Sequence, residues 1–103
     1  MNTPYYAVIF KSKRTSEDNG YAEMTQKMTE EAGKQKGFLG VDSVRDIDGV
    51  GITVSYWASL ADIEKWKHNS LHVIAKMNGK EKWYKEYAIR ICKVEYDNYF
   101  QVQ

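Results

Sequence analysis

Apolar side chains alternate through "YYAVIFKSKR", so that Tyr6, Val8 and Phe10 share one face and Tyr5, Ala7 and Ile9 the other. A period of two in β-branched and aromatic residues predicts a strand, and here both faces of it are apolar. After the turn-prone "SEDNG", Tyr21, Met24, Met28 and Ala32 recur at helical spacing among Glu, Gln and Lys, which predicts an amphipathic helix that Gly37 brings to its left-handed stop. "GFLGVDSVRD" and "VGITVSYW" are two further strand patterns, joined by a short "IDG" turn as an antiparallel hairpin. Ser59 followed by Asp62 has the form of a capping box, with Asp in place of Glu, and opens a second helical region. "KMNGKEKWYKEY" has the composition of an amphipathic helical face, and "AIRICKVEY" is a last strand before the aromatic tail "DNYFQVQ".

The order βαββαβ is that of the split βαβ, or ferredoxin-like, α+β fold: a four-stranded antiparallel sheet with the helices on one face. At 103 residues, with no internal repeat or linker, the chain reads as one domain, with a core over 4–96 and an arm over 97–103. Helices on one side cannot cover the second apolar face of the sheet. An exposed apolar face of that size marks an interface, and a second copy of the same face covers it most simply. The expectation is a homodimer, with Tyr99, Phe100 and Val102 reaching across to the partner.

Composition removes several classes of function. Lys+Arg number 15 against 14 Asp+Glu, a net charge of +1 with the basic residues scattered, which does not make a nucleic-acid surface. No stretch is long and apolar enough to cross a membrane, and the N-terminal apolar run lacks the flanks of a signal peptide. Cys92 has no partner for an internal disulfide, which fits a reducing cytoplasm and a buried structural thiol.

Candidate chemistry gathers in "WKHNSLH". A single helix from Leu60 to Met77 would turn Trp66 inward with Ile63 and Ile74 and leave His68 and His72 in solvent. Asn69 and Ser70 are good N-cap residues, and a break there would rotate His72 relative to Trp66. Both geometries stand at this point. His68 and His72 have the i, i+4 spacing of a metal pair, but no third ligand accompanies them and Asn, Ser and Leu lie between, so no metal site is expected.

The βαββαβ order, the glycine-led "GFLGVDSVRD", the "ITVSYWAS" strand entering a helix and the "WKHN" segment together resemble the antibiotic biosynthesis monooxygenase family of the dimeric α/β barrel superfamily, close to a subgroup of small uncharacterised bacterial proteins. The resemblance spans residues 4 to 100. It implies a homodimer whose two sheets pack as a barrel, with an apolar pocket in each subunit between sheet and helices. Relatives use such pockets to oxygenate polycyclic aromatic compounds without metal or flavin, or to bind and degrade haem. The haem-degrading relatives carry a histidine about three turns after the helix tryptophan and an asparagine on the first strand. This chain has Lys76 near the first position and no Asn in "YYAVIFKSK", which leaves His72 as a displaced ligand at most. The quinone-forming relatives carry an asparagine one turn before the tryptophan and a tyrosine shortly after it, where this chain has Asp62 and His72.

The expectation is therefore a cofactor-independent monooxygenase acting on a small aromatic or quinol-like compound. Its catalytic residues would be His72, Trp66 and Asp62, and Trp66, Tyr56 and Arg90 would bind substrate. Each has a plainer role beside this one: Trp66 as core packing, Asp62 as the reciprocal cap of Ser59, and Tyr56, Arg90 and Arg45 as strand residues that face either a pocket or a dimer interface. The alternative is a non-catalytic homodimer that binds an apolar metabolite.

Overall fold

The computed structural model describes residues 2–102. Its strands are β1 (Tyr5–Arg14), β2 (Phe38–Arg45), β3 (Val50–Trp57) and β4 (Tyr84–Val94), and its helices are α1 (Tyr21–Gly33), α2 (Leu60–Lys67) and α3 (Ser70–Asn78). A π-helical turn, Gly79–Trp83, joins α3 to β4. The sheet order is β2-β3-β1-β4 with every pairing antiparallel, the ferredoxin-like arrangement.

Register decides which residues can meet. Val8 stands opposite Ser55 on β3 and Ile91 on β4, and Ala7 opposite Tyr56 and Cys92. Strand alternation then places Tyr6, Val8, Phe10, Ser55, Trp57, Ile89 and Ile91 on the helix side, and Ala7, Ile9, Val54, Tyr56, Arg90 and Cys92 on the other. The core lies on the helix side, where fully buried Trp57 packs with Ile63 and Trp66, bordered by Tyr6, Val8, Met28, Ala32 and Phe38.

Local chemistry explains the helix boundaries. The Asp18 carboxylate accepts from the N–H groups of Gly20 (3.0 Å) and Ala22 (3.2 Å), satisfying donors at the start of α1. α1 ends at Gly33, four residues before the expected stop. Gly37, at φ +82°, serves instead to let the chain pass Asp62, because a Cβ there would collide with the Asp62 carboxylate.

Two other expectations change. Of the segment read as a helical face, Lys76 to Tyr87, the first three residues close α3, and the rest is a π-helical turn followed by the first residues of β4. Pairing decides this, since Tyr84 stands opposite Arg14 and the Thr15 N–H donates to the Trp83 carbonyl at 2.8 Å. Cys92, expected to be buried, is exposed, because it sits on the sheet face that no helix covers. After β4 the chain runs without regular structure to residue 102, anchored where the Tyr5 hydroxyl donates to the Asp97 carboxylate at 2.8 Å. No described helix is long and apolar enough to cross a membrane.

Candidate functional site

Between sheet and helices lies a cavity of about 380 Å³, within the size range of small-molecule sites. Its walls are mostly apolar and aromatic. Two groups of side chains supply its chemistry, one at Trp66 and His72 and the other at Tyr21.

The first group depends on the helix break. α2 ends at Lys67 and α3 begins at Ser70, with the Asn69 carboxamide oxygen accepting from the N–H groups of Leu71 (3.0 Å) and His72 (3.2 Å). The new helix axis carries the His72 ring onto Trp66, with centroids 5.0 Å apart and planes 35° from parallel. Trp66 in turn leans on Trp57 at 6.0 Å. Burial holds the His72 pKa below the usual imidazole range, outweighing the Lys67 backbone, which pulls the other way, while the charge of Lys76 adds a smaller lowering. His72 Nδ1 is buried and makes no hydrogen bond among the described residues. His72 thus presents a neutral imidazole with an unsatisfied ring nitrogen, a site that a ligand's polar atom would complete. His68 stays on the outer surface, 3.2 Å from Glu64.

Asp62 is only 8% exposed, yet it is turned away from the cavity. Its carboxylate accepts from the Ser59 hydroxyl at 2.8 Å while its N–H donates to Ser59 Oγ at 3.1 Å. This reciprocal pair fixes the start of the helix that carries Trp66. Tyr56 and Arg90 lie on the opposite sheet face, separated from the cavity by the sheet itself. Tyr56 donates to the Asp42 carboxylate at 3.1 Å and meets Tyr5 edge-on at 6.1 Å. Arg90 stands opposite Ile9. Of the residues expected to act together, Trp66 and His72 meet in the cavity; Asp62, Tyr56 and Arg90 do not line it.

The second group is one the sequence reading did not assemble. Arg14 lies over the Tyr21 ring, its guanidinium carbon 3.5 Å from the centroid, and Arg45 Nη2 donates to the Tyr21 hydroxyl at 3.4 Å. Arg45 is fixed by Ser12 Oγ (2.8 Å) and the Gly49 carbonyl (2.6 Å), and Arg14 by the Trp83 carbonyl (3.0 Å) and the Glu17 carbonyl (3.0 Å). Gly51 leaves the space that the Arg45 guanidinium fills. Burial alone would raise the Tyr21 pKa, but the Tyr84 hydroxyl, the Arg45 charge and Thr25 outweigh it and lower it. Tyr84, which shares this wall, is pushed well above the usual phenol range, mainly by burial and then by Tyr21. The signal for this cluster was topological: the end of β1, the end of β2 and the start of α1 fall at one end of a βαβ unit, and each carries one of these residues.

The sequence matches no protein-family model. The fold matches SnoaB, a cofactor-independent oxygenase of Streptomyces nogalater, with a TM-score of 0.78 at 6% identity over 90% of this chain and 95% of that one. It also matches a structure described as an antibiotic biosynthesis monooxygenase, with a TM-score of 0.74 at 11% identity over 86% of this chain and 97% of that one. The structural neighbours are thus antibiotic biosynthesis monooxygenase-like proteins, a likeness that at these identities concerns the fold. At the level of sequence, the uncharacterized protein YqjZ of Bacillus subtilis is 50% identical over 98 residues, 95% of this chain and 86% of that protein. The chain belongs to the YqjZ family.

Proposed function

We propose that the protein is a cofactor-independent monooxygenase that acts on a small aromatic or quinol-like compound in the cavity walled by Trp66. The observation that carries this reading is the unpartnered Nδ1 of His72, buried beside an indole in an apolar cavity. A base held neutral by its surroundings is ready to take a proton at neutral pH. An electron-rich ring needs little more, because it can itself reduce O2 once deprotonated and desolvated. In the keto form of such a ring, a CH2 conjugated through the ring with the carbonyl gives one proton to His72, and the resulting enolate supplies the electrons that reduce O2. The carbon becomes C=O; one oxygen atom stays in the product, and the other leaves as water with the two hydrogens of that carbon. Trp66 would hold the ring, Lys76 would supply positive charge on the same wall, and Asp62 would act as a positioning residue through Ser59.

The same reading includes a homodimer in a reducing cytoplasm. The open sheet face presents Val44 at 73% exposure together with Ile9, Ile52 and Val54, and Tyr99 and Phe100 in the tail are at least 80% exposed. A second copy of this face would bury these side chains, Tyr56 and Arg90 would belong to that interface, and the tail would extend over the partner. Functional support from the comparisons comes from SnoaB, which is described as a cofactor-independent oxygenase.

The deciding experiment measures O2 uptake by the dimer with a panel of anthrone- and quinol-type compounds. Uptake in the wild type that is lost in His72→Ala and Trp66→Phe, with the mass of the assembly unchanged, supports the oxygenase. Thermal stabilisation by the same compounds with no uptake overturns it in favour of a binding protein.

A further inference from the structure

The cavity has a second polar end, and its charge is unbalanced. Arg45 sits at the Gly51 end of β3, whereas Trp57 lies six residues along the strand, about 20 Å away at strand rise. The Tyr21 cluster and the His72 cluster are therefore separate groups within one cavity. Among the described residues, neither Arg14 nor Arg45 is ion-paired with a carboxylate. Backbone carbonyls and Ser12 satisfy their hydrogen bonds but leave their charge uncompensated.

From this geometry we propose that the Tyr21 hydroxyl, backed by the guanidinium groups of Arg14 and Arg45, is the binding site for an anionic oxygen, carboxylate or phenolate, at the end of an aromatic ligand. Tyr21 lines the cavity, whereas the two arginines are held behind it by the main chain, so the phenol is the donor that a ligand meets. The same surroundings that favour loss of its proton make it a strong donor to an anion, as preorganised dipoles do in an oxyanion hole. Thr25 and Tyr84 complete the polar surroundings of the hydroxyl. The neighbouring rings, Trp83 at 5.8 Å and Tyr84 at 5.9 Å, both edge-on to Tyr21, give the ligand's ring an aromatic frame.

This inference deepens the reading above by naming the charged end of the ligand. Its test reads binding rather than O2 uptake, so the failure of one is distinguishable from the failure of the other. The probes are 2-naphthoate and its uncharged isostere 2-naphthamide, titrated calorimetrically. The expected result is that the wild type binds naphthoate roughly tenfold more tightly than naphthamide, the gain typical of a charge-assisted hydrogen bond. Tyr21→Phe keeps the ring under Arg14 and should erase that preference, costing naphthoate far more affinity than naphthamide; Lys65→Gln, exposed and outside the cavity lining, should leave the preference intact. Naphthoate binding should also raise the pH at which the Tyr21 phenolate absorbance appears, a signal missing in Tyr21→Phe. Arg45→Gln is the harsher variant and is compared only if its circular dichroism matches the wild type. Equal affinity for the two probes, no naphthoate binding, or a preference that survives Tyr21→Phe and falls in Lys76→Gln would each overturn the proposal.

Discussion

Both faces of the sheet are furnished with Tyr, Val and Ile, but only one of them is roofed. On the helix side Trp57 is completely buried, Phe38 and Trp66 meet it at 5.4 and 6.0 Å, and its indole N–H finds Ser55 Oγ at 2.9 Å. On the open side Tyr5 and Ala7 are buried, while Val44, Ile52 and Cys92 stand in solvent. The covered face thus holds the hydrophobic core and a cavity large enough for a ligand, whereas the open face holds apolar side chains that no described helix covers. Sheet alternation produced both faces from the same strands, so the difference between them comes from where the helices lie. Residues one position apart, such as Val8 and Ile9, thereby acquire unrelated tasks.

The covered face should be the more expensive to damage. Trp57→Ala removes an indole that touches both Phe38 and Trp66, and large-to-small changes of this kind cost about 3–5 kcal/mol. That is a large share of the 5–15 kcal/mol typical of a folded domain, so the urea midpoint should fall far below that of the wild type. A small shift instead would mean that the core is centred elsewhere.

The open face should respond through assembly. Ile9 sits mid-sheet opposite Val54 and Arg90, and Ile9→Lys places a second cation beside that arginine. In a dimer built on this face the ammonium would be buried without a partner, so sedimentation should show the mass falling from two chains to one, and the concentration dependence of the unfolding midpoint should vanish. A monomeric wild type with a concentration-independent midpoint would sink the dimer proposal and leave the contrast between the faces intact.

A subtler change tests how the covered face acquires its chemistry. Asn69→Ala removes the cap that ends the run from α2 and starts α3, a loss of about 1 kcal/mol. If the break orients His72, the variant should also lose the contact between His72 and Trp66, which the chemical shifts of the imidazole protons report. Ring-current shifts unchanged from the wild type would show that packing alone holds the break.

Much of this architecture was legible in the sequence because period-two and helical patterns are strong in β1, α1 and the β2–β3 hairpin. The positions of β1 and β3 follow directly from "YYAVIFKSKR" and "VGITVSYW". Legibility failed where a tertiary partner outweighed the local pattern. Lys80 to Tyr87 has helical composition, yet Arg14 and Thr15 draw Trp83 and Tyr84 into the sheet. At the site, the cap at Asn69 was readable but not its outcome, since only the direction of α3 tells whether His72 meets Trp66. Tyr56 and Arg90 could be placed on strands but not on a face until the register was known. The Tyr21 cluster joins residues from β1, β2 and α1, and no spacing in one segment could reveal it.

The smallest expected effect is a pH dependence that reports the buried imidazole of the covered face. His72 has a pKa lowered below 6.5 by burial, so in the unfolded chain it takes up a proton at a higher pH than in the folded one. Between those two values the unfolded state binds more protons, and stability rises with pH. The contribution of His72 is therefore fully favourable above about pH 6.5 and declines as the pH falls through the unfolded value toward the folded one. His72→Gln cannot titrate, so thermal midpoints measured between about pH 7.5 and 5 should fall less in the variant than in the wild type. If the variant's midpoint falls as steeply as the wild type's, the cavity does not hold His72 neutral, and a base at that position loses its physical support.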